Sequence, residues 1–219
     1  MTSPRLIVIV RHAQSEHHVL RLTGGWTDTP LTEAGHEQAR VLAARLTAEL
    51  AGHRVSLYSS DLQRAAQTAE HLGAAFRAPV SFDERLREHN NGAAANMTIE
   101  EAAARYPETW DINVPLDMRA YEGAETPREF NDRAGAFIDE IAADGSLPVV
   151  ITHGGTMICL VGRWLRLSAE TLEPIGFSAH TTGITVLIET KYGRRLERLN
   201  DAAHLSGSAE HVRIGDLIH

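Results

Sequence analysis

Two histidines and two arginines stand where phosphoryl chemistry could take place. The first pair is Arg11 and His12, which directly follow a run of β-branched residues. A neutral imidazole is a competent nucleophile toward phosphorus, and a neighbouring guanidinium can bind phosphoryl oxygens bidentately. Arg11–His12 alone fits a solvated strand end equally well. Whether the pair has a catalytic function depends on which other residues converge on it.

Three further residues are candidates for the same chemistry. Arg64 falls in the first turn of a predicted helix capped by Ser60 or Asp61, and a helix N-terminus favours an anion. His153 precedes two glycines, and the N–H of the first, Gly154, can approach an oxyanion. Glu88 lies in a polar loop, where a carboxyl group could protonate a leaving oxygen. Taken singly, each is more often a surface charge or an ordinary loop residue.

The elements that must position these residues alternate between strand and helix. The predicted strands are 6–10, 55–58, 79–82 and 148–152, followed by a hairpin of 183–190 and 194–199 around Tyr192–Gly193. The predicted helices are 35–50 with Thr32 as N-cap, 62–76, 99–106, 128–143 and 154–167. This order predicts an α/β three-layer sandwich, with a mostly parallel central sheet flanked by helices. Ligands bind outside the carboxyl ends of such strands, where Arg11–His12, 59–64 and His153 should converge on one crevice.

Length, charge and cysteine content exclude several classes of protein. The 219 residues contain no linker or repeat and fit a single domain, 1–219. The net charge of −8 argues against nucleic-acid or membrane binding, and it requires the positive charge of an anion site to be gathered locally. The single cysteine, Cys159, excludes an internal disulfide, and no apolar run is long enough for a membrane span. A cytoplasmic location is expected.

Together the motifs resemble those of the histidine phosphatase superfamily, the phosphoglycerate-mutase-like proteins. The similarity covers nearly the whole chain in order. It is carried by Arg11-His12-Ala13-Gln14-Ser15-Glu16, by the segments 25–35 and 58–69, by Thr152-His153-Gly154-Gly155 and by Leu199-Asn200-Asp201-Ala202-Ala203-His204-Leu205. The resemblance implies one α/β domain of this family's fold, with a substrate-cap segment at about 90–127.

The resemblance also implies a role for each residue that matches. His12 would accept the phosphoryl group, and Arg11, Arg64 and His153 would surround it. Glu88 would be the general acid for the leaving alcohol and then the base for water. The substrate would be a small phosphorylated metabolite, and neither a metal nor another cofactor is expected.

The chain departs from the family pattern near its predicted site. Ala13 stands where the family usually has glycine, and its methyl group could crowd the loop. His17–His18 replaces Trp-Asn, so His18 would put a titratable ring at a substrate contact. Gly24–Gly25 replaces Thr-Gly, which displaces a hydroxyl contact to Thr23 or loses it. Ala93–Ala95 replaces acidic residues and tryptophan, so a more open, less charged pocket wall is expected.

Three alternatives stay open at this point. A mutase would need many cations to retain its phosphorylated product, whereas 102–117 contains only Arg105, so hydrolysis is favoured. His17 and His18 near His12 suggest metal chemistry, but adjacent helical side chains should point in different directions. The third alternative is a protein without catalytic activity that binds a phosphorylated metabolite. The sequence also leaves homodimer formation open, with Trp110, Tyr121 and Trp164 as candidates for the core or for an interface.

Overall fold

Six strands and seven α-helices make up the part of the chain that the computed structural model describes, residues 5–110, 113–141 and 145–205. The strands are β1 (Arg5–Arg11), β2 (Val55–Ser59), β3 (Val80–Phe82), β4 (Leu147–Thr152), β5 (Ile184–Thr190) and β6 (Gly193–Asp201). The helices are α1 (Glu16–Val19), α2 (Glu33–Glu49), α3 (Gln63–Phe76), α4 (Ile99–Arg105), α5 (Pro127–Glu140), α6 (Gly154–Trp164) and α7 (Ala169–Leu172). Three short 3₁₀ helices, Glu84–Leu86, Gly92–Ala94 and Ala203–Leu205, complete the fold.

The six strands form one mixed sheet in the order β3-β2-β4-β1-β5-β6. The first four strands are parallel, which confirms the predicted α/β sandwich with a mostly parallel sheet. The predicted C-terminal hairpin is also present, and it makes the sheet mixed because β5 runs antiparallel to β1. Since β4 lies between β2 and β1, the carboxyl ends of these three strands are neighbours.

Side chains of β1 alternate between the two faces of the sheet and contribute to two separate core layers. Ile7 and Ile9 pack with α5 and α6, in a cluster that includes the fully buried Trp164. Val8 and Val10 point to the opposite face and pack against α2 and α3. Successive strand residues face opposite sides of a sheet, so a continuous apolar run is what a strand covered on both faces requires. Trp164 therefore belongs to the core.

Several element boundaries differ from those predicted. Helix α5 begins one residue earlier, behind a capping box in which Thr126 accepts from the Glu129 N–H, and ends at Glu140. Helix α6 ends at Trp164 rather than at residue 167, because Arg166 adopts a left-handed φ of 59°. Helices α1 and α7 have four residues each, too few to show a periodicity in the sequence. The tail 206–219 lies outside the described residues.

The start of α2 is packed tightly against the segment that follows β1. As predicted, Thr32 is the N-cap, and its hydroxyl accepts from the Gly35 N–H at 3.0 Å. A Cβ atom at position 35 would lie 1.9 Å from the carbonyl oxygen of Gln14. Only glycine permits this approach, which fixes the position of the loop that carries His12.

Candidate active site

His12 follows β1 directly and is buried, with 2% of its surface exposed. Its backbone N–H donates to the Thr152 carbonyl at the end of β4, at 2.8 Å. Its Nδ1 lies 2.7 Å from the Ala13 carbonyl oxygen, which can only accept, so Nδ1 carries the ring hydrogen. Burial lowers the pKa of His12 well below 6.5, and the charge of Arg64 lowers it further. The ring is therefore neutral at pH 7 and its Nε2 presents a lone pair.

Arg64 brings a buried positive charge to that lone pair. Its Nε lies 3.3 Å from Nε2 of His12, while Nη1 and Nη2 each donate at 2.7 Å to the carbonyls of Thr27 and Gly25. The residue is 1% exposed. Burial lowers its pKa to about 10, so the guanidinium stays charged at neutral pH, and the negative charge of Glu88 opposes this lowering.

His153 is the second imidazole beside Nε2 of His12. It is fully buried, and its ring centroid lies 5.1 Å from that of His12. Burial, followed by the charges of Arg64 and Arg11, lowers its pKa well below 6.5. Its Nδ1 has no hydrogen-bond partner among the described residues. A buried polar nitrogen without a partner is costly, which favours a ligand oxygen at this point.

Ser60 supports His153, a function that the sequence analysis missed. Its hydroxyl lies 2.9 Å from Nε2 of His153 and accepts from the Leu62 N–H at 3.2 Å. The prediction that Ser60 or Asp61 caps α3 is wrong, because Leu62 occupies the N-cap position and the helix begins at Gln63. The strand register explains the contact: Ser59 pairs with Ile151, so Ser60 follows β2 at the level of Thr152, one residue before His153.

We expect Ser60→Ala to lower kcat/KM for phosphoester turnover by about tenfold, because it leaves a buried imidazole nitrogen unpaired. Ser59→Ala is the matched control, since its equally buried hydroxyl bonds to the Ser60 carbonyl at 2.8 Å and not to an imidazole. Steady-state kinetics with thermal melts would check this. Equal losses in the two variants would show that Ser60 acts only on stability.

Glu88 reaches the site from the loop that follows the first 3₁₀ helix. Its Oε2 accepts from the Gly155 N–H and its Oε1 from the His89 N–H, both at 2.9 Å. A Cβ atom at position 155 would lie 2.5 Å from Oε1, so glycine is required for the carboxylate to reach the start of α6. The carboxylate is half-buried and held at a fixed place.

Two residues that the sequence analysis did not single out hold the Glu88 loop. Arg133 on α5 donates to the carbonyls of Arg85, Arg87 and Glu88 at 2.8 to 3.1 Å. The Trp26 indole N–H also donates to the Glu88 carbonyl, at 2.8 Å. These contacts pin the backbone on both sides of the carboxylate, so the position of Glu88 depends on α5 and on the segment after α1.

Arg11 and His18 contact each other next to His12. Arg11 donates to the Ala179 carbonyl, and its Nη2 lies 2.9 Å from Nε2 of His18. The His18 ring stacks beside His12, with centroids 5.6 Å apart and ring planes 27° apart. His18 therefore contacts both residues of the Arg11–His12 pair.

The expectation that His17 and His18 point in different directions is wrong. Their ring centroids are 3.9 Å apart, because the Ser15 hydroxyl contacts Nδ1 of His17 at 2.8 Å and that of His18 at 3.4 Å. Burial and the neighbouring His18 lower the pKa of His17 to about 3. Among the described residues, no group of three or more His, Cys, Asp or Glu side chains is arranged to hold a metal ion.

The small residues of the predicted site have distinct places. Gly25 has a φ of 59°, and a Cβ there would lie 2.3 Å from Oδ1 of Asn91. Gly24 lines a cavity next to the site. Gly154 opens α6, and a Cβ atom there would lie 3.9 Å from Nε of Arg11. The methyl group of Ala13 is fully buried against Leu31 and Ala39. The Thr23 hydroxyl donates to the Ala94 carbonyl at 2.7 Å.

The side chains of Arg11, His12, Arg64 and His153 thus form a basic cup at the carboxyl ends of β1 and β4 and the start of α3. The chain as a whole carries a net charge of −8, so this cup is a local concentration of positive charge. Two guanidiniums can hold the oxygens of a tetrahedral anion, while a neutral imidazole faces its central atom. Such an arrangement suits phosphoryl transfer.

Comparison with known proteins agrees with this chemistry. A family model described as the histidine phosphatase superfamily (branch 1) matches residues 7–202. A probable phosphoglycerate mutase, GpmB of Escherichia coli, is 33% identical over 168 residues, which cover 74% of this chain and 76% of that protein.

Solved structures share the fold. The structure of a mycobacterial glucosyl-3-phosphoglycerate phosphatase in complex with VO3 matches with a TM-score of 0.78 and 26% identity, over 90% of this chain and 100% of the other. Bacillus stearothermophilus YhfR matches with a TM-score of 0.79 over 92% of this chain and 99% of its own, at 24% identity. The second likeness shows the fold alone.

Proposed function

The chain belongs to the histidine phosphatase superfamily, and on that premise we propose that it hydrolyses small phosphorylated metabolites through a phosphohistidine on His12, without a metal ion. The observation that carries the proposal is the 3.3 Å contact between Nε2 of neutral His12 and Nε of buried Arg64. Among the described residues, the hydrogen bonds of this buried guanidinium go to two carbonyls and one imidazole, none of which carries a negative charge, so the site favours an anion. The anion it would bind therefore lies against the nucleophile.

In the first step, Nε2 of His12 attacks the phosphorus atom and the bond to the ester oxygen breaks. The guanidiniums of Arg11 and Arg64 and the N–H of His153 neutralise the charge that spreads over the equatorial oxygens. Glu88, in its protonated form, gives its proton to the departing alkoxide. The products of this step are the alcohol, phospho-His12 and the Glu88 carboxylate.

In the second step, the Glu88 carboxylate removes a proton from water, and the water oxygen attacks the phosphorus of phospho-His12. The N–P bond breaks and returns its electron pair to Nε2, which restores the neutral ring. The basic cup serves both steps because the same tetrahedral group stays in place. Orthophosphate then leaves.

A mutase of the kind named for the Escherichia coli relative is the second candidate. It must keep its phosphorylated product bound for re-addition, which requires cations around the leaving group. Arg105, the only cation in 102–117, packs over the ring of Tyr106 at 5.6 Å on the exposed side of α4. This placement supports hydrolysis.

Labelled 3-phosphoglycerate discriminates between the two activities. Hydrolysis predicts that released orthophosphate exceeds 2-phosphoglycerate at all times, and that treatment with EDTA leaves the rate unchanged. Because the measurement is a ratio of products, a slow total rate does not affect it. Isomer formation faster than phosphate release would instead assign the chain to the mutases.

The location of the reaction belongs to the same proposal. Among the described residues, no helix has the length and apolar character needed to cross a bilayer. The one cysteine, Cys159, is buried, and burial raises the pKa of its thiol. Because a chain with a single cysteine needs no oxidising compartment, we place the reaction in the cytoplasm.

A further inference from the structure

A cavity of about 290 Å³ opens beside the basic cup. Its wall is formed by Leu22 and Gly25 on one side, His89 from the Glu88 loop, Ile99 on α4, and Trp110 and Tyr121 from the cap segment. An engineered cavity of about 150 Å³ in another protein accommodates a benzene ring. The cavity is therefore large enough for an organic group of one or two rings.

Two residues of the cavity wall connect it to the basic cup and to Glu88. Gly25 belongs to its wall, and the same residue accepts from Nη2 of Arg64 in the cup. His89 belongs to the wall too, and its backbone N–H holds Oε1 of Glu88, the proposed proton donor. An ester oxygen between His12 and Glu88 would thus carry its alcohol into this cavity.

The wall contains no Asp, Glu, Lys or Arg among the residues that the structure describes. The nearby arginines are engaged outside it, Arg21 with Glu100, Arg105 with the Tyr106 ring, and Arg119 with Glu129. Burial, and then the neighbouring Tyr106, raise the pKa of Tyr121, which therefore stays a neutral phenol. The His89 Nε2 lies 3.0 Å from the Glu125 carbonyl, and its ring meets Phe130 edge to face.

Two polar side chains of the wall are already used within the protein. Thr23 donates to the Ala94 carbonyl, and Oδ1 of Asn91 accepts from the Trp26 N–H at 2.9 Å. A carboxylate or second phosphate placed here would lose its hydration without gaining a cation. An uncharged ring would instead bury apolar surface against Trp110 and Ile99.

We propose that the preferred substrate is a phosphomonoester of an uncharged, ring-bearing alcohol, and that the cavity excludes leaving groups that carry a carboxylate or a second phosphate. This inference rests on the proposed function, since it takes the cup as the phosphoryl site. It narrows the substrate class from any small phosphorylated metabolite to those whose only anionic group is the transferred phosphate.

The test compares phenyl phosphate with 4-carboxyphenyl phosphate, which differ by one charge on the same ring. We expect kcat/KM to be at least about tenfold higher for phenyl phosphate. Glycerol 3-phosphate and 3-phosphoglycerate form a second pair, for which the preference should have the same sign. Equal rates within each pair, or a preference for the carboxylates, would overturn the inference.

A variant that introduces a positive charge into the wall sharpens the comparison. Ile99→Lys puts a cation into the wall and should shift the ratio toward 4-carboxyphenyl phosphate. Tyr192→Lys is the control, because Tyr192 is 75% exposed in the β5–β6 turn and does not line the cavity. If Ile99→Lys fails to fold by circular dichroism, Leu22→Lys replaces it. An unshifted ratio in the folded variant would show that the cavity does not hold the leaving group.

Failure of the proposed function gives a different result. In that case phosphate release from all four esters would be absent, or would persist in His12→Ala. The inference is then decided by titration calorimetry of the two phenyl esters against His12→Ala, which keeps the cavity. Tighter binding of phenyl phosphate supports it, and equal or weaker binding contradicts it.

Discussion

Replacement of His12 by alanine is expected to lower kcat for phosphomonoesters by about 10³-fold or more, the scale seen when a covalent nucleophile is removed. The same variant should no longer form an acid-labile phosphoenzyme. The reason is that Nε2 of His12 provides the only lone pair in the basic cup that faces a buried guanidinium at 3.3 Å, among the residues described. Rapid acid quench with a labelled ester measures both quantities.

His36→Ala is the matched control for this prediction. His36 is partly buried, and its Nδ1 contacts Nε2 of His71 at 3.1 Å between α2 and α3, outside the cup. It should keep its phosphoenzyme and its turnover. Full activity in His12→Ala, with the fold intact, would discard the phosphohistidine mechanism.

The low pKa of His12 also predicts how phosphoenzyme formation responds to pH. A solvent-exposed histidine is half-protonated near pH 6.5 and loses its lone pair below that value. Burial and Arg64 lower the pKa of His12, so its lone pair stays available as the pH falls through that range. Phosphoenzyme formation should therefore persist at pH 5, and its loss between pH 7 and 6 would contradict the neutral, buried nucleophile.

Glu88→Gln is expected to lower steady-state turnover by about 10²–10⁴-fold, the usual contribution of a general acid and base. The effect should depend on the leaving group. A p-nitrophenolate departs without a proton, so a burst of nitrophenol should survive while the following hydrolysis is slow. An alkyl phosphate needs the proton and should show no burst. Stopped-flow kinetics with the two esters would distinguish these outcomes.

The control for this variant is Glu122→Gln, an exposed carboxylate in the neighbouring cap segment. It should leave both esters unaffected. An equal loss of the burst phase for both esters in Glu88→Gln would mean that the carboxylate only positions the Gly155 and His89 backbone through its two 2.9 Å bonds. Proton transfer would then have to be assigned to another group.

The chain order of strands and helices could be predicted from the sequence because its signals are local. A run such as 6–10 is apolar on both faces, and the Thr32 cap acts on an N–H three residues away. The rule that ligands bind at the carboxyl ends of parallel strands then placed Arg11–His12 and His153 at one edge. The register Arg11 with Thr152 shows these strand ends side by side.

The supports of the site were decided only by the tertiary structure. The sequence predicts Ser60 as a helix cap, yet its hydroxyl contacts the ring of His153, which is 93 residues away. Arg133 holds the Glu88 carbonyl across 45 residues, and nothing near it in the chain indicates this contact. The His17 and His18 rings face each other because Ser15 binds both, which overrides the directions expected on a regular helix.

The sequence by itself determined the fold class and the identities of the groups that could do chemistry, since both depend on residue type and on spacing over a few positions. Only the tertiary structure decided how those groups are oriented and which of them are buried, and hence which histidines are neutral. It also decided that Leu22, His89, Ile99 and Tyr121 enclose one cavity, whose described lining contains no Asp, Glu, Lys or Arg. The reason is that burial and long-range hydrogen bonds join residues whose separation along the chain carries no local signal.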